Sequence, residues 1–384
     1  MRPKSGAPSE LERRRDKLLG ALEKFGTSDI LIYASMLRRE NVRYFTNFDP
    51  MEPGAAVVFS AQSPPLLMVP TDEEKARAQA ESWIPRVESY EGDIQNLPRL
   101  LKTFPLSDTV AIAGWDYFPM DWMAELRRSF PHKTWSDATP AVHGIRILKT
   151  EDEIRKIEKA AAIADAAYEN LLLGVRPGLK EYEIVAEVES FIRKSQGEDN
   201  FQLLASGSGD ARAMHPPTDR ILREGDLLIT EISPQVDGYY AQICRSMVIG
   251  EASEARRAAY DILFRAQQSG FDQVRPGMTA SALAKVQNDV FRQAGYGEYV
   301  SEKYTRGRGH GIGLYIDEEP LIAEGNDFEL KAGMVVMIHP NTFLPLSGYM
   351  VLGDPVLITE DGGRRLSRSR RDLAEIKIPP RGSR

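Results

Sequence analysis

Apolar positions along this chain follow a helical period and a strand period in turn. Residues Glu10 to Lys24 carry the three- and four-residue spacing of an amphipathic helix, and ILIYAS, AAVVFS and PLLMVP (residues 30–35, 55–60 and 65–70) then form short apolar runs expected to be strands. Loops rich in Pro, Asp and Gly separate them, so an α/β layered domain is the economical reading of the first third. At Thr150 the pattern changes. Thr150 followed by Glu153 makes a capping box, hydroxyl and carboxylate each satisfying a backbone N–H that a helix start leaves open, so a helix is predicted from about residue 151. Ile154, Ile157, Ala161, Ala164, Tyr168 and Leu171 give it one buried stripe.

From there the pattern repeats. Helices near residues 151–173 and 181–195 precede strands around Ile229 to Val248, and helices near 253–274 and 279–294 precede strands around Met334 to Ile358. Periodicity alone predicts an α+β domain with an internal repeat. A chain of 384 residues exceeds one ordinary domain, and the change at Thr150 places the expected division at 1–147 and 148–384.

Composition narrows the function classes. No apolar run approaches the roughly 18 residues of a membrane helix, and the opening MRPKSGAPSELERRRDK has no apolar segment behind its basic residues, so neither membrane insertion nor secretion is expected and a cytoplasmic location is. The net charge of −7 is spread over interspersed acids and bases, which does not indicate a nucleic-acid surface; a small-molecule partner fits better. The single cysteine, Cys244, excludes a disulfide framework and a multi-cysteine metal site, and is expected as a small buried residue on a strand.

Of the five histidines, His132 and His143 fall in or at the border of the first domain, whereas His215, His310 and His339 lie in the second. In LLITEIS (227–233) Glu231 shares a strand face with Leu227 and Ile229, so its carboxylate must be paired, hydrogen-bonded or shifted in pKa; an ion pair with Arg245 is the purely structural alternative. Asp237-Gly238 is a two-residue hairpin turn that returns the chain so that Tyr240 and Gln242 come near Glu231. Tyr240 is equally consistent with an ordinary strand aromatic, His215 with an ordered loop residue, and Arg306 and Arg308 with solvated loop charges.

The runs ASGSGDARAMHPPTDRILREGD (205–226), ITEISPQVDGYYAQICRS (229–246), GHGIG (309–313) and GMVVMIHPNTF (333–343) resemble the M24 metallopeptidase family of aminopeptidase P, prolidase, methionine aminopeptidase and creatinase. The resemblance implies an N-terminal α/β creatinase-type domain followed by a C-terminal pita-bread domain with a pseudo-twofold internal repeat, and a homodimer in which the first domain, through a segment such as Asp49 to Gly54, reaches towards the partner's cleft. At the family's metal-ligand positions this chain has Glu231, Gln242, His310, His339 and Gly353, and only His310 keeps the family's residue; Asp317 stands where the family has a second histidine. Creatinase and its metal-free kin share that frame, and on that ground the chain is placed with them.

The resulting expectation is a metal-independent, creatinase-like hydrolase that cleaves a C–N bond of an amidine or small amide. In it His215 is the proton shuttle, Glu231 holds substrate or histidine, His310 and His339 stabilise developing charge, and Tyr240, Gln242 and Arg308 bind substrate. No cofactor is expected, a single zinc or iron on Glu231, His310 and His339 being the lesser alternative. Creatine itself is disfavoured, because the acids that would hold its guanidinium are replaced by Cys244 and His339. Two other readings stand beside this one: an Xaa-Pro dipeptidase or aminopeptidase with an altered metal site, and a non-catalytic relative.

Overall fold

A computed structural model describes residues 9–208, 213–345 and 347–378. The chain divides into two compact units, Met1–Arg146 and Ile147–Arg384.

In the first unit the elements run α1 (Glu10–Leu22), β1 (Asp29–Ala34), α2 (Glu40–Thr46), β2 (Ala55–Ser60), β3 (Leu66–Val69), α3 (Asp72–Glu81), β4 (Arg86–Ser89), α4 (Leu97–Leu101), β5 (Thr109–Ala113), α5 (Met120–Ser129), β6 (Thr134–Asp137) and α6 (Thr139–Arg146). The strands form one mixed sheet in the order β4-β3-β2-β1-β5-β6, with β1 antiparallel to β2 and parallel to β5. Every residue of β1, β2 and β3 is buried, which is why these strands are continuous apolar runs rather than alternating ones. Tyr33, Phe118 and Trp122 pack edge to face in the core of this unit.

The second unit opens on the expected capping box. The Thr150 N–H donates to Glu153 Oε2 at 2.7 Å and the Glu153 N–H donates to Thr150 Oγ1 at 3.3 Å, starting α7 (Glu151–Gly174). Ile157, Ala161, Ala164, Tyr168 and Leu171 line its buried face, while Ile154 at the first turn is only half-buried. Then follow α8 (Glu181–Lys194), β7 (Asp199–Gly207), β8 (Leu227–Val236), β9 (Tyr239–Tyr240) and β10 (Ile243–Ile249). A second helix pair, α9 (Glu254–Gln273) and α10 (Ala280–Gln293), precedes β11 (Val335–Ile338), β12 (Thr342–Leu344), β13 (Gly348–Met350), β14 (Asp354–Thr359), β15 (Gly362–Arg365) and β16 (Ala374–Ile376). This is the repeat: a helix pair, then strands paired antiparallel, twice, with β16 added parallel to β10 at the end.

The first sheet has the order β16-β10-β8-β7 and the second β11-β14-β15. A bridge between Cys244 and Gly353 joins them, each N–H donating to the other's carbonyl at 3.0 Å. The Asp237-Gly238 turn has both residues at positive φ, 48° and 85°, as a primed hairpin turn requires. At this junction Arg245 is fully buried and donates to Asp354 Oδ1 (2.7 Å), Ser369 Oγ (2.7 Å) and the carbonyls of Gly353 (2.8 Å) and Arg370 (2.9 Å). The basic terminal segment therefore contributes to the packing, with Ser367 and Ser369 buried against this pair.

Candidate active site

Strand pleating decides what reaches the site. Leu228, Thr230 and Ile232 point to the helix side of β8, where Leu228 and Ile232 share a core with Tyr168 and Ile184; Leu227, Ile229 and Glu231 point the other way. Cys244 on β10 lies directly across from Glu231. The Glu231 carboxylate receives Asn341 Nδ2 at 3.2 Å, Gln242 Nε2 at 3.4 Å and the Cys244 thiol at 3.4 Å. Arg245 is on the opposite face and pairs with Asp354, so the structural alternative for Glu231 is not realised. Burial, reinforced by the Asp317 charge and opposed by the thiol hydrogen bond and Arg306, pushes the Glu231 carboxyl up to about 7.

The imidazoles are set beside one another by the loop GHGIG and the end of β11. Met337 N–H donates to the His310 carbonyl (2.7 Å) and His339 N–H to the Arg308 carbonyl (3.1 Å), so residues 308–310 run along 337–339 as an extra strand. Gly309 makes the approach possible: its φ is +150°, and a Cβ there would lie 1.9 Å from the Met337 carbonyl oxygen. The two rings meet with centroids 5.0 Å apart. His310 is buried and its Nδ1 contacts the Gly311 carbonyl at 2.8 Å, which makes Nδ1 the protonated nitrogen. Burial depresses the pKa of both histidines, most strongly at His339, where His310 adds to the effect. Both are neutral imidazoles near pH 7, and His339 Nδ1 has no partner among the described residues.

Glu231, His339, Asn341, Tyr349, Tyr304 and Arg306 share the lining of a cavity of about 410 Å³, within the range of small-molecule sites. Asn341 and Tyr349 escape the sequence reading. Asn341 had a usable signal, since it lies two residues beyond His339 and so follows the alternation of the same segment. Arg306 stands at the lining and pairs with Asp317.

Three expected site residues are placed elsewhere. His215 is bridged to Leu204, which is registered opposite Thr230 on the helix side of the sheet, whereas Glu231 is registered opposite Leu203; Ala213, not His215, is the residue of that loop at the cavity. The imidazole of His215 contacts its neighbour's carbonyl, Pro216, at 2.7 Å and acts electrostatically on Glu181. Part of the motif that suggested it, residues 209–212, lies outside the described residues. Arg308 is buried away from the cavity, bonded to Asn288 Oδ1 and to the carbonyls of Pro340 (3.2 Å) and Asn341 (3.1 Å) beneath the Phe291 ring, so it is a packing cation rather than a substrate ligand. The Tyr240 hydroxyl donates to Asp199 Oδ2 at 3.0 Å and is likewise outside the lining. Gln242 is also outside the lining and reaches the site only through the Glu231 carboxylate and the Cys244 thiol among the described residues.

Two helix-pair-and-sheet repeats, with a cleft lined by Glu231 and His339, define a pita-bread hydrolase fold that follows a creatinase-type domain in sequence. The model of the metallopeptidase family M24 matches residues 155–360, that of the creatinase/prolidase N-terminal domain matches residues 14–148, and the chain belongs to family M24. It is 29% identical to an Xaa-Pro dipeptidase of Pyrococcus furiosus over 365 residues, which cover 94% of this chain and all of that protein. Among solved structures it matches the prolidase of Pyrococcus horikoshii (TM-score 0.85, 28% identity, 94% of this chain and 99% of that one). It also matches the Xaa-Pro dipeptidase of Bacillus anthracis (TM-score 0.85, 25% identity, 95% and 99%).

These likenesses correct two expectations. Metal-independent cleavage of an amidine or non-peptide amide does not stand, because the family is one of metallopeptidases and the full-length relatives are Xaa-Pro dipeptidases. The expectation of no cofactor falls with it.

The residues nevertheless do not fit the carboxylate-rich pair of ions implied by the family. Gln242 offers an amide, a poor ligand for a divalent ion, and Gly353 offers nothing. A Cβ at Gly353 would lie 2.6 Å from His339 Cβ and 2.7 Å from Cys244 Sγ, so as the chain is placed a side chain at 353 has no room. Among the described residues no three His, Cys, Asp or Glu side chains are grouped to hold an ion, and the lesser alternative on Glu231, His310 and His339 is not formed.

Proposed function

We propose that this protein is a peptidase that hydrolyses the C–N bond of small Xaa-Pro peptides, dipeptides foremost, with a site whose side chains depart from its relatives' metal-ligand set. The observation that carries the reading is full-length likeness to Xaa-Pro dipeptidases, 94% of this chain against all of the P. furiosus protein. The cavity of about 410 Å³ is of dipeptide size and supports it.

The chain's own residues supply proton handling and orientation. With its carboxyl pushed up to about 7, Glu231 is present in both protonation states near neutrality and is suited to take a proton from the attacking water and return it to the departing nitrogen. Asn341 and Gln242 fix the carboxylate by their amide donors. His339 lines the same cavity with a neutral ring, its Nδ1 buried without a partner among the described residues. Arg306 offers a cation at the same lining for a peptide carboxylate. Among the described residues no helix is long and apolar enough to cross a membrane, and a cytoplasmic homodimer completes the reading.

The test is an assay of untagged protein against Gly-Pro, Leu-Pro and Met-Pro, after chelation and after reloading with manganese, cobalt or zinc, with bound metal measured in each sample. Release of proline is expected. Silence on every Xaa-Pro peptide under every metal load would sink the reading and leave a non-catalytic relative.

A further inference from the structure

Lys149 lies just before the N-cap of α7, and its side chain is 1% exposed. It donates to Glu318 Oε2 at 3.0 Å, a buried ion pair that spans 169 residues of sequence. Glu318 is built into the underside of the GHGIG loop. Its second carboxylate oxygen accepts the Tyr315 N–H at 3.2 Å, and its own N–H donates to the Gly311 carbonyl at 2.8 Å. Gly313 leaves room for the carboxylate: a Cβ there would lie 2.8 Å from Glu318 Oε2. Gly311 N–H donates in turn to the Pro320 carbonyl at 3.0 Å, closing the loop on both sides of Glu318.

The Gly311 carbonyl is also the group that His310 Nδ1 contacts at 2.8 Å. One oxygen therefore receives the Glu318 backbone N–H and the His310 ring N–H. A carbonyl beside a histidine determines which ring nitrogen carries the proton, and outer groups that orient such a ring matter nearly as much as the ring itself.

We infer that Lys149 and Glu318 are positioning residues for His310: the buried pair fixes the Gly311 carbonyl, which holds the imidazole as its Nδ1–H tautomer and turns Nε2 free of that bond. The inference concerns the same site and rests on the proposed peptidase reading for its kinetic consequence alone.

The experiment uses full-length protein labelled with ¹⁵N-histidine, the His310 ring signals being assigned by their loss in His310→Gln. In the unaltered protein the ring is expected wholly as Nδ1–H. Glu318→Gln and Lys149→Met are each expected to give a mixture of tautomers. With Gly-Pro as substrate, kcat/KM is expected to fall about tenfold in the same variants, on the scale of lost support to an oriented histidine. Removing one partner leaves a buried unpaired charge, so the double variant Lys149→Met/Glu318→Met, which leaves none, is the folded control if a single variant does not fold. It too should show the mixed tautomer. A folded variant whose His310 stays wholly Nδ1–H would overturn the inference, whatever the kinetics. Absence of peptide hydrolysis in the unaltered protein would remove the peptidase reading and leave the tautomer to decide the positioning.

Discussion

Two buried acids of the same domain have opposite surroundings. Asp354, at the head of β14, receives Arg245 Nη2 at 2.7 Å, Gln267 Nε2 at 2.8 Å and the Ser367 hydroxyl. Glu231, on β8, receives two amides and a thiol among the described residues. Cys244 and Gly353, chain neighbours of Arg245 and Asp354, are the bridge between the sheets, so one residue's step along each strand separates the pinned acid's partners from the lining of the site. The difference teaches what each acid is for. A carboxylate given a cation and a full set of donors holds two sheets together, whereas one buried with no paired cation among the described residues keeps its proton to about neutrality.

The largest effect is expected where the pinned pair is broken. Arg245→Leu leaves Asp354 buried without its cation and should cost about 3–5 kcal/mol of stability, measured by denaturant unfolding. Next comes Glu231→Gln, which removes a group whose folded-state pKa lies above its ordinary 4.5. Since the folded protein binds a proton that the unfolded chain has already released, the wild type is penalised as pH rises. The variant's advantage should be absent below about pH 4.5, grow up to about pH 7, and stay near 3 kcal/mol above it, an order-of-magnitude figure from the size of the shift. The same variant should lose roughly a hundredfold or more in kcat if Glu231 is the proton carrier. In the wild type, kcat/KM should rise with pH up to about 7 and then level as Glu231 ionises.

The smallest effect sharpens the site's geometry. Gly353→Ala should cost about 1–3 kcal/mol by overpacking, because the new methyl meets His339 Cβ at 2.6 Å and Cys244 Sγ at 2.7 Å. His339→Gly in the same chain should recover part of that loss, the Cys244 contact remaining. Additive losses in the double-mutant cycle would show that the His339 Cβ does not help exclude a side chain at 353.

What was legible in the sequence was local or periodic. The Thr150–Glu153 box, the Asp237-Gly238 turn and the face shared by Leu227, Ile229 and Glu231 each depend on residues a few places apart, and each is formed. The placement of His215 opposite Leu204 is set by the register of its loop against β7, which no short pattern encodes. Arg308 failed because a glycine-rich loop gives no periodic sign of which arginine turns inward; Arg306 and Arg308 differ only in what the fold brings to them. The exchange among Cys244, His339 and Gly353 is a volume relation across three separated segments, visible only once the sheets meet.

The most direct measurement is the titration of the Glu231 carboxyl itself, followed by ¹³C NMR of side-chain-labelled protein with Glu231→Gln as the assignment control. A midpoint at about 7 is expected of an acid buried among two amides and a thiol. A midpoint near the ordinary 4.5 would contradict it and take away the proton carrier at neutral pH.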